Sequence, residues 1–183
     1  YLDSSIRSVE YLETKKLPIL AIIPSIGEKI NLKKKLWFNR KRRNDQSNNQ
    51  NARKEVGNLQ RRMVTHEDPK SPISEAYRGL RTSLMYTKNG SQGSIMISSP
   101  GPGEGKTTTI INLAITYANL GKKTVLVDGD LRKPVIHKVI NDSNKLGLTH
   151  FLSGVEKNID SIISSSEIEN LDIIYNGAIP PNP

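Results

Sequence analysis

Residues 98–109 read Ser-Ser-Pro-Gly-Pro-Gly-Glu-Gly-Lys-Thr-Thr-Thr, and this is where the chain's chemistry concentrates. Glycine alone turns the backbone at positive φ without penalty and lets it approach an anion closely. Gly101, Gly103 and Gly105 can therefore point successive N–H groups inward at phosphate oxygens. A helix opening at Gly105-Lys106-Thr107 adds the positive end of its dipole. In such a cradle Lys106 reaches the β- and γ-phosphates of a triphosphate, and the Thr107 hydroxyl completes the shell of a Mg²⁺ ion bridging them. The pattern G-x-x-x-x-G-K-[ST] asks for glycine at position 100, where this chain has Pro100; the Gly-Lys-Thr end carries most of the chemistry. The second constellation is Asp128-Gly129-Asp130-Leu131-Arg132. Two carboxylates two residues apart can approach Mg²⁺ directly or through water, or accept a proton from an attacking hydroxyl, and Arg132 can steady phosphate charge.

Both constellations need elements to hold them. The apolar run in 94–98 predicts a strand leading into the glycine loop, and a helix follows from Lys106 to about Leu120, stopped by Gly121 at a C′ position. Residues 123–128 are β-branched and apolar almost throughout, the pattern of a buried parallel strand. Strand, helix and strand make a right-handed βαβ unit, whose ligands bind beyond the carboxyl ends of the strands, where the loop and Asp128 both fall. The fold class is therefore α/β, a P-loop fold with a mostly parallel sheet. Upstream, Ser74 reads as the N-cap of a helix over 75–86. Glu75, Arg78 and Arg81 recur at a spacing of three on one face of it, which spacing alone reads as a solvated charged face. Downstream, helices are predicted near 146–152 and 159–163 and a strand over 171–175. His137 and His150 lack metal-ligand spacing and read as structural.

The chain has 183 residues, no cysteine and a net charge of +9. Without cysteine, neither disulfides nor thiolate metal sites are possible. No run approaches the roughly 18 apolar residues of a membrane-spanning helix. Residues 29–62 hold twelve Lys or Arg against Asp45 and Glu55, so a local charge of +10 leaves the remainder nearly neutral. Residues 1–16 have a loose helical spacing, and 17–24 form an apolar run bracketed by prolines, read as a strand or an extended docking segment. Residues 27–70 are too polar to bury a core and read as a basic disordered linker, with a short helix around Trp37 and Phe38. Three readings of that linker stay open: a solvated tether, attraction to an anionic membrane surface, and, less favoured, nucleic-acid binding.

The residues at 102–107, the string Val-Leu-Val-Asp-Gly-Asp-Leu-Arg-Lys-Pro at 125–134, Glu75-x-x-Arg78-x-x-Arg81 and the ending at 177–183 together resemble the bacterial tyrosine kinases (BY-kinases) of capsule and exopolysaccharide export. The resemblance implies that the loop, Glu104 included, holds ATP, with Lys106, Thr107 and Thr108 on the phosphates and magnesium. Asp128 and Asp130 would form a second Walker motif. It implies that Glu75, Arg78 and Arg81 serve ring assembly between subunits, and that the kinase regulates polysaccharide polymerisation at the cytoplasmic face of the bacterial inner membrane. Residues 1–26 look, more weakly, like the stretch after the last membrane helix of a polysaccharide copolymerase. By the same resemblance, 71–183 is the first part of a kinase domain whose Walker B aspartate and tyrosine cluster lie beyond Pro183, so the chain alone is expected to be weakly active or inactive. Two alternatives remain: a non-catalytic, nucleotide-dependent assembly module of the export machinery, and a partitioning-type ATPase. The latter is disfavoured because Gly101 stands where its signature lysine belongs.

Overall fold

A computed structural model describes residues 9–24, 63–87, 93–143 and 146–179. Helix α1 spans Val9–Thr14, α2 Val64–Glu67, α3 Pro72–Thr87 and α4 Lys106–Ala118. Strand β1 is Thr124–Val127; α5 Ile136–Ile140, α6 Leu148–Leu152 and a 3₁₀ turn Ile159–Ile162 lead to β2 Ile163–Ser165 and β3 Leu171–Ile174.

The sheet is three-stranded and mixed, in the order β1-β3-β2. β1 and β3 are parallel with Val127 opposite Ile174, and β2 runs antiparallel to β3 on the far side. Helix α4 covers this sheet. Ile111, Ala114, Ile115 and Ala118 recur at helical spacing and meet Leu126 of β1, Ile173 of β3 and Ile136 and Val139 of α5 in one buried cluster. Burying each large aliphatic side chain contributes about 1.5–3 kcal/mol. Five residues connect α4 to β1, so helix and strand run antiparallel, and the start of α4 lies at the same end as the end of β1. That places the glycine loop and Asp128 at one edge.

The α/β class holds, and several local expectations are corrected. Residues 94–98 are not a strand. They alternate, with Ile95 and Ile97 half-buried and Met96 90% exposed. A strand needs a regular hydrogen-bonded ladder as well as an apolar pattern, and residues 94–98 do not form one. The βαβ unit is therefore incomplete. The free edge of β1, with Val125 and Val127 half-exposed, instead faces a groove of about 440 Å³ lined by Ile95, Ile110 and Ala114. Ser71 replaces Ser74 as the cap of α3. The Ser71 hydroxyl accepts from Ser74 N at 3.1 Å, and Pro72 sits in the first helical position, where its missing N–H costs nothing. The linker reading ends too late, because 63–70 is structured. α2 packs on α4, with Thr65 3% exposed and Met63 against the core. Residues 25–62, with Trp37, Phe38 and most of the basic charge, lie outside the described residues. Residues 17–24 carry no strand pairing, and Leu20 and Ile22 are exposed. Among the described residues, no helix is long and apolar enough to cross a membrane.

Candidate nucleotide site

Gly103 and Gly105 adopt φ of +80° and +89°, as a phosphate loop requires. Gly101 does not; a Cβ there would come within 2.9 Å of the carboxylate of Glu104, an exposed side chain free to swing aside. The loop delivers the chain into α4 through Gly105, whose carbonyl accepts the first helical bond from Thr109 N at 2.8 Å. Lys106 folds back over the loop, and its Nζ donates to Ser99 Oγ at 2.7 Å and to the Gly101 carbonyl at 2.9 Å. Ser99 Oγ also donates to the Gly101 carbonyl at 2.9 Å. Ser99, which the motif pattern leaves unspecified, thus holds the lysine above the glycines. Thr107 and Thr108 follow in the first turn, half-buried.

At the end of β1, Asp128 is 4% exposed. Its Oδ1 accepts from Asp130 N and its Oδ2 from Ile136 N, both at 3.2 Å. Burial raises its carboxyl above the ordinary range, the main-chain N–H groups of Ile136, Asp130 and Val135 oppose that shift, and the neighbouring Asp130 charge adds to it. Asp130 is exposed, and its Oδ1 accepts from Arg132 N at 3.2 Å and Lys133 N at 2.9 Å. One aspartate is therefore sunk and charge-averse, and the other stands at the surface in a turn that its own carboxylate shapes. Arg132 is exposed beside it. Thr107, Asp128 and Asp130 offer hard oxygen donors of the kind magnesium takes. No group of three or more His, Cys, Asp or Glu gathers among the described residues.

His150 Nδ1 accepts from Gly147 N at 3.2 Å at the start of α6. Burial first, then the charge of Lys138, lowers His137, while Asp128 partly restores it.

On α3, Glu75 and Arg78 pair at 2.6 Å, and Arg78 also donates to the Pro69 carbonyl. Arg81 turns inward: its Nη1 donates to the Thr116 carbonyl of α4 at 2.8 Å, and its Nε is buried. The three residues share a helical face in the sequence, and Arg81 also reaches α4 of its own subunit. Tyr77, on the apolar face of α3, is 2% exposed; burial raises its phenol above the ordinary value and the neighbouring Thr109 hydroxyl opposes that shift.

An AAA-domain family model matches residues 93–178, which span the glycine loop and the Asp128 turn. Tyrosine-protein kinase YwqD of Bacillus subtilis is 41% identical over 126 residues, covering 68% of this chain and 53% of its own. The putative tyrosine-protein kinase CapB of Staphylococcus aureus is 37% identical over 122 residues, covering 66% of this chain and 53% of its own. Among solved structures, the chimerical protein CapA2B2 superposes with a TM-score of 0.72 at 35% identity over 96% of this chain and 62% of its own. The kinase domain of Escherichia coli tyrosine kinase ETK gives 0.74 at 26% identity over 97% and 63%. The chain spans about half the length of the curated relatives it matches. A P-loop fold of this kind implies nucleotide binding, and in sequence and fold the chain is similar to the bacterial tyrosine kinases over the part it spans.

Proposed function

We propose that this chain carries the nucleotide-binding part of an ATP-dependent protein-tyrosine kinase. The observation that carries the reading is the convergence of the Lys106 loop and the Asp128-Asp130 turn at one edge, in a chain 41% identical over 126 residues to a tyrosine-protein kinase. Gly101, Gly103, Glu104 and Gly105 supply the loop main chain, and Lys106, Thr107 and Thr108 meet the phosphates. Lys106 exchanges Ser99 Oγ and the Gly101 carbonyl for phosphate oxygens, so the apo loop is already shaped around a cation. Thr107, Asp128 and Asp130 would hold Mg²⁺, which when bound neutralises charge on the transferring phosphoryl group.

In the transfer, the tyrosine oxygen bonds to the γ-phosphorus as the bond to the β,γ-bridging oxygen breaks, ADP leaves, and the phenolic proton passes to a carboxylate. Arg132, on the turn that carries Asp128 and Asp130, faces the developing phosphate charge. Assembly into a ring through Glu75, Arg78 and Arg81, association with a polysaccharide copolymerase, contact of the basic segment with anionic lipid and a place at the cytoplasmic face of the inner membrane complete the proposal. The resemblance supports these parts, as does the charge of +10 in residues 29–62.

The test incubates the full-length protein with Mg-ATP and maps phosphotyrosine by mass spectrometry, with Lys106→Met as control. Lys106-dependent phosphotyrosine supports the kinase. Hydrolysis without phosphotyrosine refutes it in favour of an ATPase, and binding without turnover refutes it in favour of an assembly module.

A further inference from the structure

Asn176 lies two residues beyond β3, beside the turn that carries both aspartates, and its side chain is fully buried. Its Nδ2 donates to the main-chain carbonyl of Asp130 at 3.3 Å. A carbonyl only accepts, so the nitrogen must face it, and Oδ1 points elsewhere. That Oδ1 is buried and has no hydrogen-bond partner among the described residues.

The main chain at Asn176 is itself anchored. Its carbonyl accepts from Thr149 N at 2.9 Å and Thr149 Oγ1 at 3.0 Å, and the preceding Tyr175 carbonyl accepts from Leu148 N at 2.8 Å. Gly147 makes this contact possible, because a Cβ there would lie 2.2 Å from the Tyr175 carbonyl oxygen. The first turn of α6 thus clamps residues 175 and 176.

The aspartate turn has a different construction. Asp130 N reaches Asp128 Oδ1, and Arg132 N and Lys133 N reach Asp130 Oδ1. These bonds close the turn on itself and set its shape. They do not set where Asp130 stands relative to the sheet. The bond from Asn176 does, because it runs from the clamped end of β3 to the Asp130 peptide.

A buried, unpaired acceptor opposes folding. Asn176 is therefore poorly chosen for stability, and an apolar side chain of similar size would fill the space without that cost. We propose that Asn176 is a positioning residue, which holds the Asp130 main chain so that the Asp130 carboxylate is presented to a magnesium-bound nucleotide. The proposal rests on the reading of Thr107, Asp128 and Asp130 as the magnesium–nucleotide site.

The experiment measures binding of a fluorescent ATP analogue to the full-length protein with and without Mg²⁺, beside thermal melting, for wild type, Asn176→Leu and Asn176→Asp. Leucine removes the donor and the orphaned acceptor together. Asp is isosteric and lacks the donor at neutral pH. Wild type binds more tightly with Mg²⁺. Asn176→Leu melts at or above the wild-type temperature and keeps its Mg²⁺-free affinity, while the gain from Mg²⁺ falls about five- to tenfold. Asn176→Asp loses the gain as well, and decides the matter if the leucine variant does not fold. A folded variant of either kind with the full gain overturns the positioning role. So does a loss that is equal with and without Mg²⁺, which marks a structural effect only. No gain in wild type overturns the magnesium reading itself and the proposal with it.

Discussion

Replacing Asn112 by alanine should destabilise the protein by about 2–4 kcal/mol, although Asn112 sits in the middle of a helix, where asparagine is a poor helix former. Its side chain is wholly buried. Oδ1 accepts from Thr65 N and from Thr65 Oγ1, both at 2.9 Å, and Nδ2 donates to the Thr108 carbonyl at 2.7 Å. Alanine removes all three bonds and strands the Thr65 N–H between α2 and α4. An orphaned buried N–H costs about 1–3 kcal/mol, and each lost bond adds about 1 kcal/mol less whatever water recovers. Thr65→Val removes only the hydroxyl and leaves the N–H bonded, so its cost should be nearer 1 kcal/mol. Because both substitutions break the Oγ1–Oδ1 bond, the double variant should cost less than the sum, by roughly 0.5 kcal/mol or more. Urea denaturation of the four proteins, with the slope against urea unchanged, measures all three quantities. A cost under about 1 kcal/mol for Asn112→Ala, or strict additivity with Thr65→Val, would show that α2 is not tied to α4 through this side chain.

Lys106→Met removes a charge-assisted contact worth roughly 1.5–3 kcal/mol, so Mg-ATP affinity by titration calorimetry should fall about tenfold to a hundredfold; unchanged affinity refutes the phosphate role. Gly147→Ala would place a Cβ 2.2 Å from the Tyr175 carbonyl oxygen. Thermal melting should show a loss of about 1–3 kcal/mol, and a neutral result would mean that α6 shifts freely. Tyr175 donates its hydroxyl to Asp142 Oδ2 at 2.8 Å, and burial with the Asp142 carboxylate raises the phenol above its ordinary 10.0. Below that value both states keep the proton. Above it the unfolded chain ionises first, so stability should fall as pH rises, and Tyr175→Phe should flatten that fall in denaturant titrations.

What the sequence discloses is chemistry that demands a residue type at a fixed local spacing. Gly103, Gly105, Lys106 and Thr107 are of that kind, and so is the Asp128-Asp130 pair at the end of an apolar strand. Features that depend on distant partners stay hidden. Val64–Glu67 is too short to announce itself by periodicity, and Thr65 is fixed by a residue 47 positions away. β2, three residues long, exists because β3 offers it an antiparallel edge. Residues 94–98 show the converse, an apolar pattern that does not enter a regular strand ladder. Ser71 and Ser74 both suit a helix start, and Pro72 decides between them. Asn176 has no sequence signal at all: its role lies in an amide aimed at the main chain 46 residues earlier.

The side chains outside the motifs share a geometry that bears on how the phosphate loop communicates with the rest of the chain. Thr109 lies beside the buried Tyr77 hydroxyl, Asn112 holds Thr65, and the Thr116 carbonyl receives Arg81. Positions 109, 112 and 116 recur at helical spacing, so these ties run down one face of α4 from its phosphate end. Opposite, Ile111, Ala114, Ile115 and Ala118 lock the same helix onto the sheet. α3 carries Glu75 and Arg78 on its exposed side and is bound to α4 by Tyr77 and Arg81. Glu75 and Arg78 thus stand on a helix whose buried side is held to α4 by Arg81 at Thr116 and packed against it at Tyr77. Polar ties suit this better than apolar contact alone, since a hydrogen bond has a preferred distance and direction whereas packed methyl groups can slide.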